Sequence, residues 1–316
     1  MRNSLLLSVA AASLLAAGAS ALAGTSSWVP ANVPAGGSGF TMFGINDSNV
    51  VTGDYINSSG VQEGVVGPFD GSNWTNFADS GGTTQPRALN NKGQITGFDT
   101  GTLQQWERFP SGNMKNITQG GNPVADALAM GINKFGVFAG DYTNSSGVEV
   151  GAIGQNAQYT QDIPLSISNT GYAGRAIDAK GDVAGWYYDS SGIQHGYAIV
   201  GGNTIMIDYP NAYYTVVEGM NNKGMVSGQW EDTSGVIHGF IYNIAKNKYT
   251  SLDAPGASFT QVWGINDMNT IAASAAESSG TESFAYCTRT NGCPASGAAK
   301  HTGLRPSGKP VMPQPN

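Results

Sequence analysis

The sequence predicts an all-β fold, a six-bladed β-propeller with four antiparallel strands per blade. Three observations lead to this prediction. One segment recurs along the chain at nearly constant spacing, each copy contains two turn signals between short apolar runs, and the composition favours turns over helices. The chain has 45 glycines, and only 12% of its residues are charged, against about 25% in an average globular protein.

The N-terminus has the features of a secretory signal peptide. Arg2 precedes the apolar run Leu5–Ala17, and Ala21-Leu22-Ala23 is a small-x-small cleavage site. An anchoring helix fits less well, because this run is shorter than the roughly 20 residues that span a bilayer. We therefore expect residues 1–23 to be removed, with cleavage after Ala21 as a second option. The remaining chain is expected to be secreted, either periplasmic or extracellular, with no membrane span.

The repeats are visible by eye. GINDSNVVTGDYINSSGVQEGV begins at Gly44 and GINKFGVFAGDYTNSSGVEVGA at Gly131, and related copies follow to the end of the domain. Each copy has an Asn or Asp that we call the anchor. Successive anchors are 44, 43, 45, 43 and 45 residues apart. The anchors are Asn46, Asn90, Asn133, Asp178, Asn221 and Asn266.

The positions around each anchor predict a tight hairpin turn. A Gly or Ala stands two residues before the anchor, and an apolar residue stands directly before it. The third residue after the anchor is always Gly or Asn, which tolerate a left-handed backbone. The anchor side chain is expected to bond the backbone of this first turn. These third residues are Asn49, Gly93, Gly136, Gly181, Gly224 and Asn269.

Three further strands complete each predicted blade. In the fifth repeat the second strand covers residues 225–230, and a turn containing Thr233–Gly235 follows. The third strand holds Gly239–Tyr242 and the fourth holds Lys248–Leu252. The sixth repeat stops after its third strand at Phe284–Cys287, whereas residues 27–36 resemble a fourth-strand ending. We therefore expect the N-terminal strand to complete the last blade and close the ring.

The C-terminal region carries both cysteines. Five residues separate Cys287 from Cys293, and the oxidising environment of an exported protein favours a disulfide between them. Metal binding is the alternative, although His301 is the nearest histidine and lies in a proline-rich tail. The predicted domains are the propeller over residues 24–293 and a disordered tail over 294–316.

The repeats resemble the bacterial extracellular HAF family, named for a His-Ala-Phe triplet after the second turn. The similarity covers roughly residues 40–287 and lies in the Gly-Ile-Asn, Ser-Gly and Asp-x-Pro-Gly elements. This chain departs from the name, because it has His195-Gly196-Tyr197 and His238-Gly239-Phe240. The resemblance implies secretion and tandem β repeats, and it supplies no catalytic residues.

Residues that suggest chemistry mostly occupy repeated positions. His195 and His238 share one strand position, and the acids Asp189, Glu231 and Asp232 lie at second turns, where Asp bonds backbone amides. We expect structural roles for them, and we predict no metal site and no cofactor. For the aromatic residues at the ninth position after the anchor, the first expected role is packing and the second is stacking on sugars. They are Tyr55, Tyr142, Tyr187 and Trp230.

One position varies from repeat to repeat, the third residue before the anchor, which we call the slot. Because the first strand of a propeller blade is innermost, the slot is expected near the channel mouth. Arg87, Arg175, Glu218 and Trp263 are therefore the candidate ligand-binding residues. The alternative is structural, with Arg175 and Glu218 forming an interblade ion pair and Trp263 packing between sheets.

These observations favour a non-catalytic binding or surface-associated module for a glycan or protein ligand. The net charge of −7 disfavours nucleic acid, and we expect a monomer. The alternative is a carbohydrate-active enzyme, a glycoside hydrolase or polysaccharide lyase with channel carboxylates, for which Glu218 is the first candidate. No Gly-x-Ser-x-Gly, His-Glu-x-x-His or phosphate-loop motif is present in the sequence.

Overall fold

The computed structural model of the chain describes residues 26–288, with gaps at 33, 80–81, 125–126, 168 and 278–279. All regular elements in this range are β-strands. The expected signal peptide, the disulfide partner Cys293 and the tail 294–316 lie outside the described residues, so those predictions remain untested. Within the described range no helix could cross a membrane.

The described chain begins with β1 (Ser26–Pro30), which belongs to the sixth sheet, and the first half of the chain then forms three sheets. The first sheet contains β2 (Ser38–Ile45), β3 (Val50–Ile56), β4 (Gln62–Pro68) and β5 (Thr75–Phe77). The second contains β6 (Thr84–Leu89), β7 (Ile95–Asp99), β8 (Gln105–Arg108) and β9 (Met114–Asn116). The third contains β10 (Thr118–Gln119), β11 (Asn122–Pro123), β12 (Leu128–Ile132), β13 (Val137–Thr143), β14 (Glu149–Gln155) and β15 (Gln158–Asp162).

The second half forms three more sheets. The fourth sheet contains β16 (Gly171–Ile177), β17 (Val183–Tyr188), β18 (Gln194–Val200) and β19 (Asn203–Ile207). The fifth contains β20 (Tyr214–Met220), β21 (Met225–Glu231), β22 (Ile237–Asn243) and β23 (Lys248–Leu252). The sixth contains β24 (Phe259–Ile265), β25 (Ile271–Glu277) and β26 (Gly280–Thr288), together with β1.

The sheets are arranged as in a β-propeller. Each is antiparallel in its main part, neighbouring sheets pack through apolar side chains such as Ala198 of the fourth and Val217 of the fifth, and β2 of the first sheet contacts β24 and β25 of the sixth. The prediction of an all-β propeller fold is confirmed. In the described range, five sheets have the four predicted strands.

The prediction of four strands per blade is wrong for the third sheet, which has six. Strands β10 and β11 follow β9 in the chain and extend the third sheet, with β10 pairing parallel to β15. Ile117 and Val124 flank these two strands and are buried against Tyr159. Burial of apolar side chains therefore holds the extension on the edge of the sheet.

The N-terminal strand closes the ring as predicted. Strand β1 pairs antiparallel with β26, with Ser26 opposite Thr288 and Pro30 opposite Phe284. Val29 of β1 is buried with residues of the first sheet. The sixth sheet thus combines the beginning and the end of the described chain, and β26 has no free edge.

The predicted first turns are also confirmed. The Asn46 Oδ1 accepts the N–H groups of Ser48 at 2.9 Å and Val50 at 3.0 Å, and the other anchors repeat this pattern. The third residue after every anchor has a positive φ, between 55° at Asn49 and 87° at Gly181. Gly and Asn are required there because other residues rarely adopt this conformation.

The anchor amides join neighbouring sheets. The Nδ2 group of each Asn anchor donates to the backbone carbonyl of the next anchor, at 2.8 to 3.4 Å, and Asn266 returns to Asn46. All first turns therefore lie at one end of the channel, which we call the first-turn end. The chain of bonds is interrupted only at Asp178, which has no amide to donate to Asn221.

Small residues before the anchors allow the inner strands to approach each other. A Cβ at Gly131 would lie 2.7 Å from the Arg175 carbonyl oxygen, and one at Gly219 would lie 3.1 Å from the Trp263 carbonyl oxygen. The first distance leaves no space for a methyl group, and the second allows one only if the neighbouring strand shifts. Close backbone packing around the channel thus explains the glycine at these two positions.

Candidate functional site

The slot residues of all six sheets line one cavity on the channel axis. The cavity has a volume of about 80 Å³, and the inner strands supply its whole wall. The structure therefore brings together the four candidates predicted from the sequence, with Phe43 and Met130 added from the two remaining repeats. The slot residues are Phe43, Arg87, Met130, Arg175, Glu218 and Trp263.

A β-bulge places each slot residue. In every inner strand the pairing register shifts across the slot, for example between Met42 and Gly44 and between Val217 and Gly219. The same shift occurs in the other four sheets. A bulge leaves one residue unpaired and redirects its side chain. The six bulges thus explain why this position varies while its neighbours repeat.

Arg87 is held between two aromatic rings. Its guanidinium lies 4.2 Å from the centre of the Phe43 ring and 4.7 Å from that of Trp263. The Trp263 indole N–H donates to Ser274 Oγ at 3.0 Å. Burial lowers the pKa of Arg87 to about 10, and Glu218 opposes this shift. Cation–π contact therefore accounts for much of the position of Arg87.

Arg175 is the slot residue of the fourth sheet and lines the same cavity. It is 8% exposed, and its guanidinium lies 5.1 Å from the Trp186 ring. Burial acts to lower its pKa, but the negative charges of Glu218 and Asp141 raise it above the ordinary value. Among the described residues, no salt bridge within 4.0 Å joins Arg175 to Glu218. The alternative of a direct interblade ion pair is therefore wrong, although the two charges attract each other.

Each arginine faces a buried carboxyl group of the preceding sheet. Asp54 receives a hydrogen bond from the Gln62 amide, and burial raises the pKa of Asp54 to about 6. In the third sheet the corresponding pair consists of Asp141 and Glu149, both carboxyl groups. Burial is the main cause that raises the pKa of each, and for Asp141 the neighbouring Glu149 adds to the shift. The third sheet therefore places two carboxyl groups of raised pKa near Arg175.

Sequence reasoning missed these buried carboxyl groups. Asp54 and Asp141 precede the recurring aromatics Tyr55 and Tyr142 in two Gly-Asp-Tyr segments. The recurrence was visible, but only the pairing of β2 with β3 and of β12 with β13 places the two acids level with the cavity. A charged residue in the middle of a buried strand was the available signal.

The apolar residues before the anchors separate this cavity from a second one. The second cavity, of about 90 Å³, is lined by the anchors and the residues that follow them. Both cavities share the apolar ring, so the channel is polar at two levels and apolar between them. The ring consists of Ile45, Leu89, Ile132, Ile177, Met220 and Ile265.

The two repeated histidines make structural contacts within their own sheets. His238 Nδ1 is 2.9 Å from Asp253 Oδ1, its Nε2 is 3.5 Å from Asp232 Oδ2, and its ring stacks on Trp230. His195 repeats this arrangement with Asp208, Asp189 and Tyr187. Each histidine therefore links a second turn to the end of a fourth strand.

Other candidate chemistry gains no support from the geometry. Asp189 Oδ1 accepts the backbone N–H groups of Ser191 and Ile193, as the turn prediction requires. In the described part of the chain, no three His, Cys, Asp or Glu side chains could together hold a metal ion. Cys287 lies in β26, and its pairing with Cys293 remains a prediction because Cys293 is outside the described range.

Comparison with known proteins shows the fold. No protein family and no curated protein matches the sequence. A Bacteroides thetaiotaomicron protein of unknown function has a TM-score of 0.52 and 10% identity, covering 83% of this chain and 76% of its own. A catalytically inactive virginiamycin B lyase from Staphylococcus aureus, with quinupristin, has a TM-score of 0.50 and 12% identity, covering 83% of this chain and 99% of its own. At these identities the similarity concerns architecture alone.

Proposed function

We propose that the chain is a secreted six-bladed β-propeller of the HAF repeat type and acts as a non-catalytic binding module. The slot residues form its ligand site, with Arg87, Arg175, Glu218 and Trp263 as the polar and aromatic contacts. One observation carries the proposal: the position at which the repeats differ lines the cavity in all six sheets, beside the small and apolar positions that repeat. In a repeat protein, structural demands make positions alike, so side chains that differ at the centre are best explained by a ligand.

The cavity size restricts what enters. A volume of about 80 Å³ is well below the roughly 300 Å³ at which pockets begin to enclose a drug-sized ligand. The ligand therefore inserts one small polar group, such as a sugar substituent or the end of a protein side chain, while its remainder stays outside. Arg175 offers donors and Glu218 offers acceptors for such a group.

An experiment on Glu218 tests the proposal. Glu218 is half-buried and forms no direct salt bridge within the described range, so Glu218→Gln should fold normally. On a glycan array and against candidate protein ligands, we expect the variant to lose at least about tenfold in affinity, the typical effect of losing a charged hydrogen bond. Met130→Leu is the matched control at the same level of the channel, and its affinity should not change.

Arginine variants separate binding from stability. Arg87→Ala removes a stacked side chain and should lower the melting temperature, whereas Arg87→Lys keeps the charge and loses the planar contact. If Glu218→Gln and Arg87→Lys both bind as the wild type does, the slot residues do not form the ligand site. A large loss of stability in Glu218→Gln with intact binding would assign Glu218 a structural role.

The alternative function is a carbohydrate-active enzyme. The observation in its favour is the carboxyl pair Asp141 and Glu149 beside Arg175, because glycan cleavage uses two carboxyl groups and burial raises the pKa of both. Against it, Asp141 is 1% exposed, and the cavity cannot enclose a sugar chain. An assay for reducing ends and unsaturated sugars over a panel of polysaccharides decides between the two, since the binding module releases neither.

A further inference from the structure

The lysines of the described chain are all at one end of the molecule. Four lie in first turns and three lie at or beside third turns, the turns between the third and fourth strands. All seven side chains are exposed. The first-turn group is Lys92, Lys134, Lys180 and Lys223, and the third-turn group is Lys115, Lys246 and Lys248.

Backbone hydrogen bonds show that these turns share the first-turn end. The anchor amides connect the first turns of neighbouring sheets around the channel. Within a sheet, the Ile244 N–H of a third turn donates to the Gly224 carbonyl of the first turn at 3.1 Å, and Phe69 donates to Asn49 in the same way. The seven lysines therefore form an inner and an outer group around the channel exit, which we call the lysine face.

The opposite end is acidic. Second turns, and the connections that lead from a fourth strand to the next sheet, carry ten carboxylates, and within the described range no lysine accompanies them. The lysine face also carries acids, namely Asp47, Asp70, Asp178, Asp182 and Asp267, but its lysines outnumber them. The ten carboxylates are Glu63, Asp79, Asp99, Glu149, Asp162, Asp189, Asp208, Glu231, Asp232 and Asp253.

The arrangement of the lysines selects an extended ligand. The four first-turn lysines lie in four different sheets around the channel, so their charges are distributed over the face and do not belong to one element. They fit a polymer that repeats its negative charges. DNA carries one charge per about 1.7 Å, and the acids between the lysines would oppose so dense a phosphate array. A polysaccharide with about one carboxylate or sulfate per sugar suits the mixed face better.

The described residues of the lysine face include few exposed apolar side chains that could enter a lipid bilayer. Surface binding to membranes usually adds apolar side chains that enter the headgroup region. Among the described residues of the first turns, Phe135 is the one large apolar side chain that is strongly exposed, at 54%. Its ring lies 5.1 Å from the Lys134 ammonium.

We propose that the lysine face is a docking surface for an acidic polysaccharide. The polymer lies across the first-turn end, and the acidic second-turn end is repelled from it. Binding therefore orients the molecule, with the second turns directed away from the polymer. This site is distinct from the slot residues, and it does not depend on the ligand proposed for the channel cavity.

The test uses the full mature chain with immobilised polygalacturonate and heparin as probes and dextran as the neutral reference. The triple variant Lys92→Gln, Lys180→Gln and Lys223→Gln should fold, because these residues bond the anchors through backbone N–H groups at 2.7 to 3.0 Å. We expect affinity for an acidic probe to fall on the order of 100-fold at low salt. The matched triple Lys→Arg variant retains the charge and should bind as the wild type does.

Salt and a channel variant complete the test. Affinity for the polyanion should decrease steeply between low and physiological salt, and Glu218→Gln should leave it unchanged, which separates this proposal from the one on the channel. Equal binding to dextran, or unchanged binding by the triple Gln variant, would overturn the proposal. Binding to phosphatidylglycerol vesicles without binding to either acidic polysaccharide would also overturn it.

Discussion

At the scale of single residues, Asp178 departs from the other anchors. Its Oδ1 accepts the N–H groups of Lys180 and Asp182, as an anchor must. Its Oδ2 lies 3.9 Å from the Lys180 ammonium and cannot donate to the next sheet, as the amides of the five asparagines do. Burial raises the pKa of Asp178, because burial disfavours the charged carboxylate.

We predict that Asp178→Asn stabilises the protein. The new amide would donate to the Asn221 carbonyl, complete the chain of bonds between anchors and remove a buried charge. One added buried hydrogen bond contributes about 1 kcal/mol, which raises the melting temperature of a protein of this size by about 2–4 °C. Thermal unfolding followed by circular dichroism at pH 7.5 measures the change.

Asn133→Asp is the matched control for that prediction. It should create a second interruption, between Asn133 and the Asp178 carbonyl, where the amide now donates at 2.9 Å. The melting temperature should therefore fall. If Asp178→Asn lowers the melting temperature instead, the missing amide does not limit the stability of the ring of anchors.

Single residues also show how far the sequence could be interpreted. Repetition identified the anchors, the glycines of the first turn and the slot candidates. Each of these positions is defined by its place within a single repeat. The stacking of Arg87 on Phe43 and Trp263 joins three different repeats. Contacts of this kind depend on how the repeats are arranged in space, so no single repeat contains their signal.

At the scale of elements, β1 is the strand that closes the ring. We predict that deletion of residues 24–31 lowers the melting temperature by more than about 5 °C and promotes aggregation, because β26 would then present an unpaired edge. Differential scanning calorimetry and light scattering measure the two effects. A synthetic peptide covering residues 26–36 should restore part of the stability when it is added in excess.

A truncated chain with unchanged cooperative unfolding and no rescue by the peptide would contradict this role of β1. A peptide with the same composition in scrambled order serves as the control, since the paired register of β1 with β26 requires the native order. The rescue distinguishes loss of a pairing partner from general damage to the chain.

The elements were predictable to different degrees. The second, third and fourth strands predicted for the fifth blade lie within β21, β22 and β23. They were predictable because alternating apolar residues and turn residues are local features of the sequence. The bulges at the slots could not be predicted, since a bulge is defined by the partner strand. The extra strands β10 and β11 could not be predicted either, because the nearly constant spacing of the anchors gives no sign of them.

At the scale of the whole molecule, buried acids determine the response to pH. Burial raises the pKa of Asp54 to about 6 and also raises that of Glu107, Asp141, Glu149 and Asp178. The folded state therefore binds more protons than the unfolded state above the ordinary carboxyl pKa of about 4. By linkage, the free energy of unfolding falls as the pH rises from about 4 through about 6.

We predict that the protein is most stable in mildly acidic solution, with a melting temperature a few degrees higher at pH 5 than at pH 8. Below pH 4 stability should fall again, because hydrogen bonds from Thr83 and Thr102 outweigh the effect of burial and hold the pKa of Asp99 at about 2. Melting curves from pH 3 to pH 9 measure both limits.

Asp54 faces Gln62, Gln85 and Arg87, and the variant Asp54→Asn should reduce the difference in melting temperature between pH 5 and pH 8. Equal melting temperatures at the two pH values would contradict the assignment.

The pairing of β1 with β26 also sets an order of events during biosynthesis. The ribosome releases β1 first, yet the partner of this strand emerges only after every other described strand has been made. The N-terminal strand therefore remains without its partner β26 while the first five sheets are synthesised. The ring cannot close during translation of the first five sheets, because β26 has not yet been made.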